Sequence, residues 1–440
     1  MYLFLKKMTV KKFFFLILLV FIASFINAEL RIEITKGSND PINIAIVPIS
    51  LSMDISIDSY LHELIANDLE FIGEYKILPP SQMLSFPSSE NELYYRDWRL
   101  LNIDYLIFGK AESISASKLK NNIEVTYFIY DIAREKRLHK AYIKGSTNDF
   151  KSLAHGISDS IYKEITGIPG IFSTKILYVD GSDYLNEEYL LRISDFDGGR
   201  DKVLVSSNAP IISPTWSPDG QSVAYVSFEL GRSNIYVQSI LSGKRQLIKP
   251  QEGLNSSPDW SSNGKFLAAV LSKNGNSDIY KYHLKKKVWT RLTEHYGIDT
   301  EPDWSSNSKR IVFTSNRSGS PQIYEINLSN NKIKRLTFKG NYNARARYLP
   351  DGKSIVYVHR NNGVFHIARL HLKSGIMDIL TDTPLDESPT ISPNGNLIMY
   401  ATKYDGVSLL AGISVDGETS FFLPSTKGEV REPAWSPFLN

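Results

Sequence analysis

The 440-residue chain contains no cysteine. That count excludes disulfides, thiolate metal sites and thiol catalysis together, and it suits an oxidising compartment where stray thiols mispair. No HExxH helix is present for zinc hydrolysis. There is also no Gly-x-Ser-x-Gly elbow; the nearest stretch, Gly156 to Ser160, lacks the second glycine and falls in a predicted helix. Long apolar runs are scarce as well. Phe13 to Ile26 is the main one, at 14 residues, against the roughly 20 that a bilayer requires. With Lys6, Lys7, Lys11 and Lys12 before it and Ile26-Asn27-Ala28 after it, the run reads as a secretory signal cleaved after Ala28.

Removing that signal changes the charge balance. The full chain carries 50 Lys and Arg against 47 Asp and Glu. The four lysines of the signal account for the excess, so no nucleic-acid footprint remains. A mature chain of this length predicts two domains.

Two grammars follow one another. From Glu29 to Thr166 strand-like and helix-like segments alternate, which predicts a small α/β domain over residues 29–166. Leu30 to Ile34 and Ile42 to Val47 read as its first strands. Tyr60 to Ile72 and Leu153 to Ile165 have helical spacing; Tyr105 to Phe108 and Ile123 to Phe128 read as further strands. Gly167-Ile168-Pro169-Gly170 reads as a linker (167–170). From residue 171 to 440 the pattern is all-β and repetitive. The motif PxWSPDG, aligned on its third position, recurs at Trp216, Trp260, Trp304, Tyr348, Ile391 and Trp435, spaced by 44, 44, 44, 43 and 44 residues. That period is one propeller blade. Six second strands begin with Ile176 to Val179, yet no motif precedes Ile176 and none follows the last copy. Pro433, Trp435, Ser436 and Pro437 are therefore expected to supply the innermost strand of the first blade and close a six-bladed ring, which leaves no exposed edge.

The signal, the small α/β domain and the terminal repeat together resemble the TolB family, periplasmic components of the Tol–Pal system. The resemblance rests on Glu29 to Thr35, Tyr75 to Leu78, Gly170 to Ile176 and the repeats, and it spans the mature chain. It implies a monomeric, non-enzymatic scaffold without cofactor or metal, which supports outer-membrane integrity and envelope constriction during division. The implied partners are the peptidoglycan-associated lipoprotein Pal, which holds the scaffold near the outer membrane, and TolA, with colicins and other envelope proteins able to use the same surfaces; nucleic acid is not among them. The competing class is a propeller-bearing hydrolase or peptidase.

Geometry predicts where a propeller binds. The loops leading into the innermost strands face the channel mouth, and they carry mixed charge that suits a protein partner. The expected Pal face comprises Leu254, Asn255, Ser257, Thr300, Glu301, Arg345, Asp386, Glu387, Arg431 and Glu432. Within it the resemblance singles out Leu254, Ser257, Thr300 and Glu301; Leu254 stands where relatives often carry histidine. Asp386-Glu387 reads as a solvated rim. The implied TolA segment is Glu29, Leu30, Arg31, Ile32, Glu33, Ile34 and Thr35, an alternating stretch able to add as an edge strand to either of two surfaces. Asp195 to Gly198 reads as a hairpin turn, since it lacks the distal glutamate of a calcium loop.

Overall fold

The computed structural model describes residues 33–38, 40–51, 61–114, 122–181, 188–423 and 429–439. The signal, Ala28 and Glu29 to Ile32 lie outside the described residues. Among the described residues, no helix is long and apolar enough to cross a membrane.

The N-terminal elements are β1 (Glu33–Lys36), β2 (Ile42–Ile46), β3 (Ser50–Leu51), α1 (Leu61–Phe71), β4 (Tyr75–Leu78), α2 (Tyr95–Leu100), β5 (Tyr105–Ser113), β6 (Asn122–Asp131), β7 (Lys136–Ser146) and α3 (Phe150–Thr166). Strands β4-β2-β5-β6-β7 form a mixed sheet, parallel at β4-β2-β5 and antiparallel from β5 to β7. One apolar cluster brings Trp98 of α2 against Ala45, Phe108 and Tyr130 of the sheet. Helix α3 begins where Asp149 accepts a hydrogen bond from the Ser152 amide at 3.2 Å. It stops at Gly167, whose left-handed φ of +76° suits a residue without Cβ. Between those caps the buried Leu153, Ile157 and Ile161 fall on one stripe, and Ala154, His155, Ser158 and Tyr162 on a second. A helix buried on two stripes needs two neighbours.

The second neighbour is the propeller. Among the described residues six blades follow the α/β domain, each with at least four antiparallel strands. Blades two to five are continuous in sequence. Blade one takes its inner strand, Glu429–Trp435, from the far end of the chain, pairing Val430 with Asp180, Ala434 with Leu177 and Trp435 with Ile176. The ring therefore closes as the repeat count requires. The Trp435 indole donates to the Thr174 hydroxyl at 2.8 Å, the Lys175 amide to the Ser436 hydroxyl at 3.0 Å, and the Trp216 indole of blade two to the Ala434 carbonyl at 3.0 Å.

The first strand departs from expectation. Glu33–Lys36 does not join the α/β sheet; it pairs antiparallel with Ser420–Phe422, the outermost strand of blade six, as a fifth strand. The alternating pattern predicts a strand but carries no information on which sheet edge receives it. The α/β domain itself sits against the hairpin ends of blades one and six. Phe71 of α1 meets Phe196 at 4.8 Å and Phe421 at 4.2 Å, and Tyr162 of α3 accepts from the Asn396 amide at 3.0 Å. Phe421 lies over Gly412, where any Cβ would collide with its ring. Inner strands start at the mouth and end at these hairpins, so the domain occupies the face opposite the mouth.

Candidate functional site: the channel mouth

Each inner strand carries one residue in the left-handed region: Ser213 (φ 53°), Ser257 (48°), Glu301 (55°), Arg345 (54°), Ser388 (55°) and Glu432 (52°). In every case the pairing register slips at that point, so two residues face one, as Ser213 and Pro214 face Tyr225. Five of the six precede a proline, which disfavours the right-handed helical region for the residue before it. Arg345 takes the same left-handed conformation before Ala346, so the proline marks the position while the shared bulge sets it. A bulge of this kind re-aims its side chain, at a cost of about 1–2 kcal/mol for a non-glycine residue. Here all six line one cavity of about 380 Å³ along the ring axis.

Charge in this throat is concentrated. Arg345 bonds Glu301 at 3.0 Å, approaches Glu432 at 3.4 Å and donates to the Ser388 hydroxyl. Burial opposes its charge, yet Glu301, Glu432 and Glu387 outweigh that and hold its pKa above the ordinary arginine value. One layer deeper, Asp259 accepts from the Trp304 amide at 2.8 Å and Asp303 from the Tyr348 amide at 2.9 Å, each linking its blade to the next. Both carboxyls are pushed above the usual range, first by desolvation in the channel wall. Asp259 adds to the shift at Asp303, while Arg347, at 3.8 Å from Asp303, opposes it.

Around the throat runs an apolar collar. Three residues before the strained position stand Pro210, Leu254, Ile298, Tyr342 and Leu385, with Glu429 in blade one. Leu254, Ile298 and Leu385 are 37%, 51% and 41% exposed, and neighbouring Tyr296 is 84% exposed. The second strands pin this collar: the Leu254 carbonyl accepts from Ser272, that of Ile298 from Asn316 and that of Tyr342 from Arg360. A rigid apolar ring around a charged centre can hold a protein segment by area at its rim and by ion pairs at its middle.

The expected face is thus only partly a surface. Ser257, Thr300, Glu301, Arg345, Glu387, Arg431 and Glu432 lie within inner strands, not in the loops before them. Thr300, Glu387 and Arg431 are half-buried beside the throat. Asn255 is buried, and its amide group clasps its own loop through Gln251 and Gly253. Asp386 is no solvated rim: it is fully buried and accepts hydroxyls of Thr381, Thr383 and Thr402, with desolvation raising its pKa. The collar residues Ile298, Tyr342 and Leu385 were legible only through their common offset from the motif.

Sequence reading misses the opposite face altogether. Asp195, in the predicted turn, is buried with His155 of α3 at 3.6 Å, Lys175 at 2.7 Å and Arg200 at 2.6 Å. His155 also bonds Asp68 of α1 at 2.9 Å, and Lys151 holds Asp197 at 2.7 Å. Asp68, His155 and Asp197 place donor atoms within 4.8 Å of one another. The ion pairs with Lys151 and the Asp195 group already meet this charge, so the cluster reads as a junction between domains. Burial opposes the imidazolium, but Asp195 and Asp68 outweigh it and lift the His155 pKa to about 9.

Fold and site define the class: a closed six-bladed propeller with an α/β domain on one face and a collared, charged throat at the other. Residues 162–439 match the TolB beta propeller domain, and residues 30–138 the TolB amino-terminal domain. The chain belongs to the TolB family. It is 56% identical over 424 residues to the Tol-Pal system protein TolB of a Marinomonas species, covering 96% of this chain and 97% of the relative. To that of Alcanivorax borkumensis it is 52% identical over 413 residues, 94% of each. The crystal structure of TolB from Acinetobacter baumannii superposes with a TM-score of 0.85 at 39% identity, over 93% of this chain and 100% of that one.

Proposed function

We propose that the chain is a non-enzymatic, periplasmic scaffold of a Tol–Pal envelope system, which receives Pal at the channel mouth and TolA through Glu29 to Thr35. Kinship with Tol-Pal system proteins supports the setting. The observation that carries the mouth assignment is the apolar collar around the Arg345 throat, on the face that the α/β domain leaves free. Chemistry finds little foothold there: among the described residues lining the channel there is no histidine to activate its serines. The TolA assignment draws on β1, a fifth strand held at the outer edge of blade six. An edge strand is the element that a partner's sheet can take over. Domain limits at 29–166, 167–170 and 171–440 belong to this reading, with β1 falling in the first range by sequence but in the blade-six sheet by pairing.

The test is capture by immobilised Pal, comparing wild type with Ile298→Arg and Thr300→Arg. A charge placed in the packed centre of an interface abolishes capture while the fold survives. Retention of both variants at wild-type strength would place the interface elsewhere. Glu301→Arg is a poorer probe, because it also breaks the pair with Arg345. For TolA, deletion of residues 29–35 is expected to remove binding, and unchanged affinity would reject that assignment.

A further inference from the structure

Charge is unevenly placed along the chain. Residues 326–377, from the outer part of blade four through most of blade five, hold ten Lys and Arg and one acid, Asp351. The remainder holds forty against forty-six acids. Part of this excess converges on a cleft of about 430 Å³ between blades four and five, along the side of the ring. Lys334, Arg335, Lys339, His371 and Lys373 line it over an apolar floor that includes Leu370 and Met377.

The carboxylates nearby are already engaged. Buried Glu325 takes Lys334 at 3.1 Å, Arg310 at 3.6 Å and the Tyr348 hydroxyl at 2.7 Å, and Asp378 takes Arg369 at 2.8 Å. Arg335 donates to the Thr337 carbonyl at 2.6 Å and stacks 5.0 Å from the ring of Phe338, which is 73% exposed. Among the described residues, Arg335, Lys339 and Lys373 have no carboxylate partner within ion-pair distance.

Cations over an apolar floor, with an exposed aromatic ring at the edge, match the chemistry of an anionic membrane surface. Phosphates take the cations, and the ring enters the boundary between headgroups and acyl chains. An acidic peptide would use the cations but leave Phe338 and the floor unmatched. We propose that this cleft docks the propeller on anionic phospholipid. The site is separate from the mouth and from the α/β junction, so it operates whether or not Pal is bound.

The test is co-sedimentation of the mature chain with phosphatidylcholine vesicles, with and without phosphatidylglycerol. Retention is expected only when phosphatidylglycerol is present, and it should fall with added salt as surface charge is screened. Lys339→Glu/Lys373→Glu should weaken retention by about tenfold or more, and Phe338→Ala by a few-fold, with Pal capture and thermal melting unchanged in each. Equal retention on both vesicles, or an unaffected lysine variant, would overturn the proposal. So would soluble polyglutamate binding as tightly as the vesicles with Phe338→Ala silent, which would mark an acidic-peptide surface.

Discussion

The two faces of the propeller handle their carboxylates in opposite ways. At the junction, Asp195 is closed off from solvent and surrounded by His155, Lys175 and Arg200. At the throat, Asp259 and Asp303 share one wall, with Arg347 only at 3.8 Å from Asp303, and six strained backbone positions ring the same cavity. Neutralised charge in a sealed site acts as fixed glue. Like charges at the throat are eased by protonation, by backbone amides and by Arg347 rather than by direct ion pairs, and left-handed backbone beside an open channel persists where the surrounding fold over-determines it. The contrast fits the proposed division, in which one face serves assembly and the other recognition.

The harshest way to break this contrast is to open the ring that carries both faces. Removing residues from Glu432 onward takes away Trp435 and the pairing of Ala434 and Trp435 with blade one. Loss of cooperative thermal unfolding is expected, since even a buried Trp→Ala costs about 3–5 kcal/mol. A truncated chain that melts like wild type would contradict closure by this strand.

Next in size is the junction. The folded His155 pKa of about 9 lies above the ordinary histidine value of 6.5. Its stabilisation is therefore complete below about pH 6.5 and is lost as pH rises through about 9, and it amounts to roughly 3 kcal/mol. His155→Ala should lower stability by about that amount at pH 6.5 and flatten the profile between pH 7 and 10. Urea unfolding across that range checks both. An equal loss at all pH values would mean that packing, not charge, holds the contact.

The smallest effect is at the throat and has the opposite sign. Asp303 has a raised pKa, so its charge costs stability at alkaline pH, and the cost is relieved as pH falls towards the ordinary carboxylate value. Asp303→Asn keeps an acceptor for the Tyr348 amide. It should stabilise the protein at pH 8 by on the order of 1 kcal/mol or more, and the gain should shrink with falling pH and vanish only near the ordinary carboxylate value of 3.8. Destabilisation at pH 8 would show that the Arg347 contact outweighs the repulsion.

Much of the fold was legible because propeller blades repeat. A fixed period, turn glycines such as Gly220 and the unpaired last motif determine blade number and closure without any tertiary information. The site was legible only to the level of a face. Prolines after Ser213, Ser257, Glu301, Ser388 and Glu432 are visible in the sequence, but the bulge they mark needs the partner strand to define it. Asp386 looked like a surface polar group because burial of a polar side chain depends on partners remote in sequence, here Thr402, whereas the Asn255 side chain is buried against its own loop while its backbone amide donates to the Ser233 hydroxyl. The junction was invisible for the same reason: Asp68, His155 and Asp195 come from three separate segments, and none sits in a motif. Of the strand expected over Leu30 to Ile34, the described part, Glu33 and Ile34, lies in strand β1 but pairs with blade six and not with the α/β sheet, since edge pairing is decided by which edge lies open.

The division of labour between the faces is tested most directly by calorimetric titration of Pal into three proteins: wild type, Leu254→Asp/Ile298→Asp at the collar, and His155→Ala at the junction. The collar variant is predicted to lose affinity by about a hundredfold, as for two central contacts, with its melting temperature unchanged. The junction variant is predicted to bind as wild type while melting lower. A collar variant that binds normally, or a junction variant that alone loses Pal, would contradict the account.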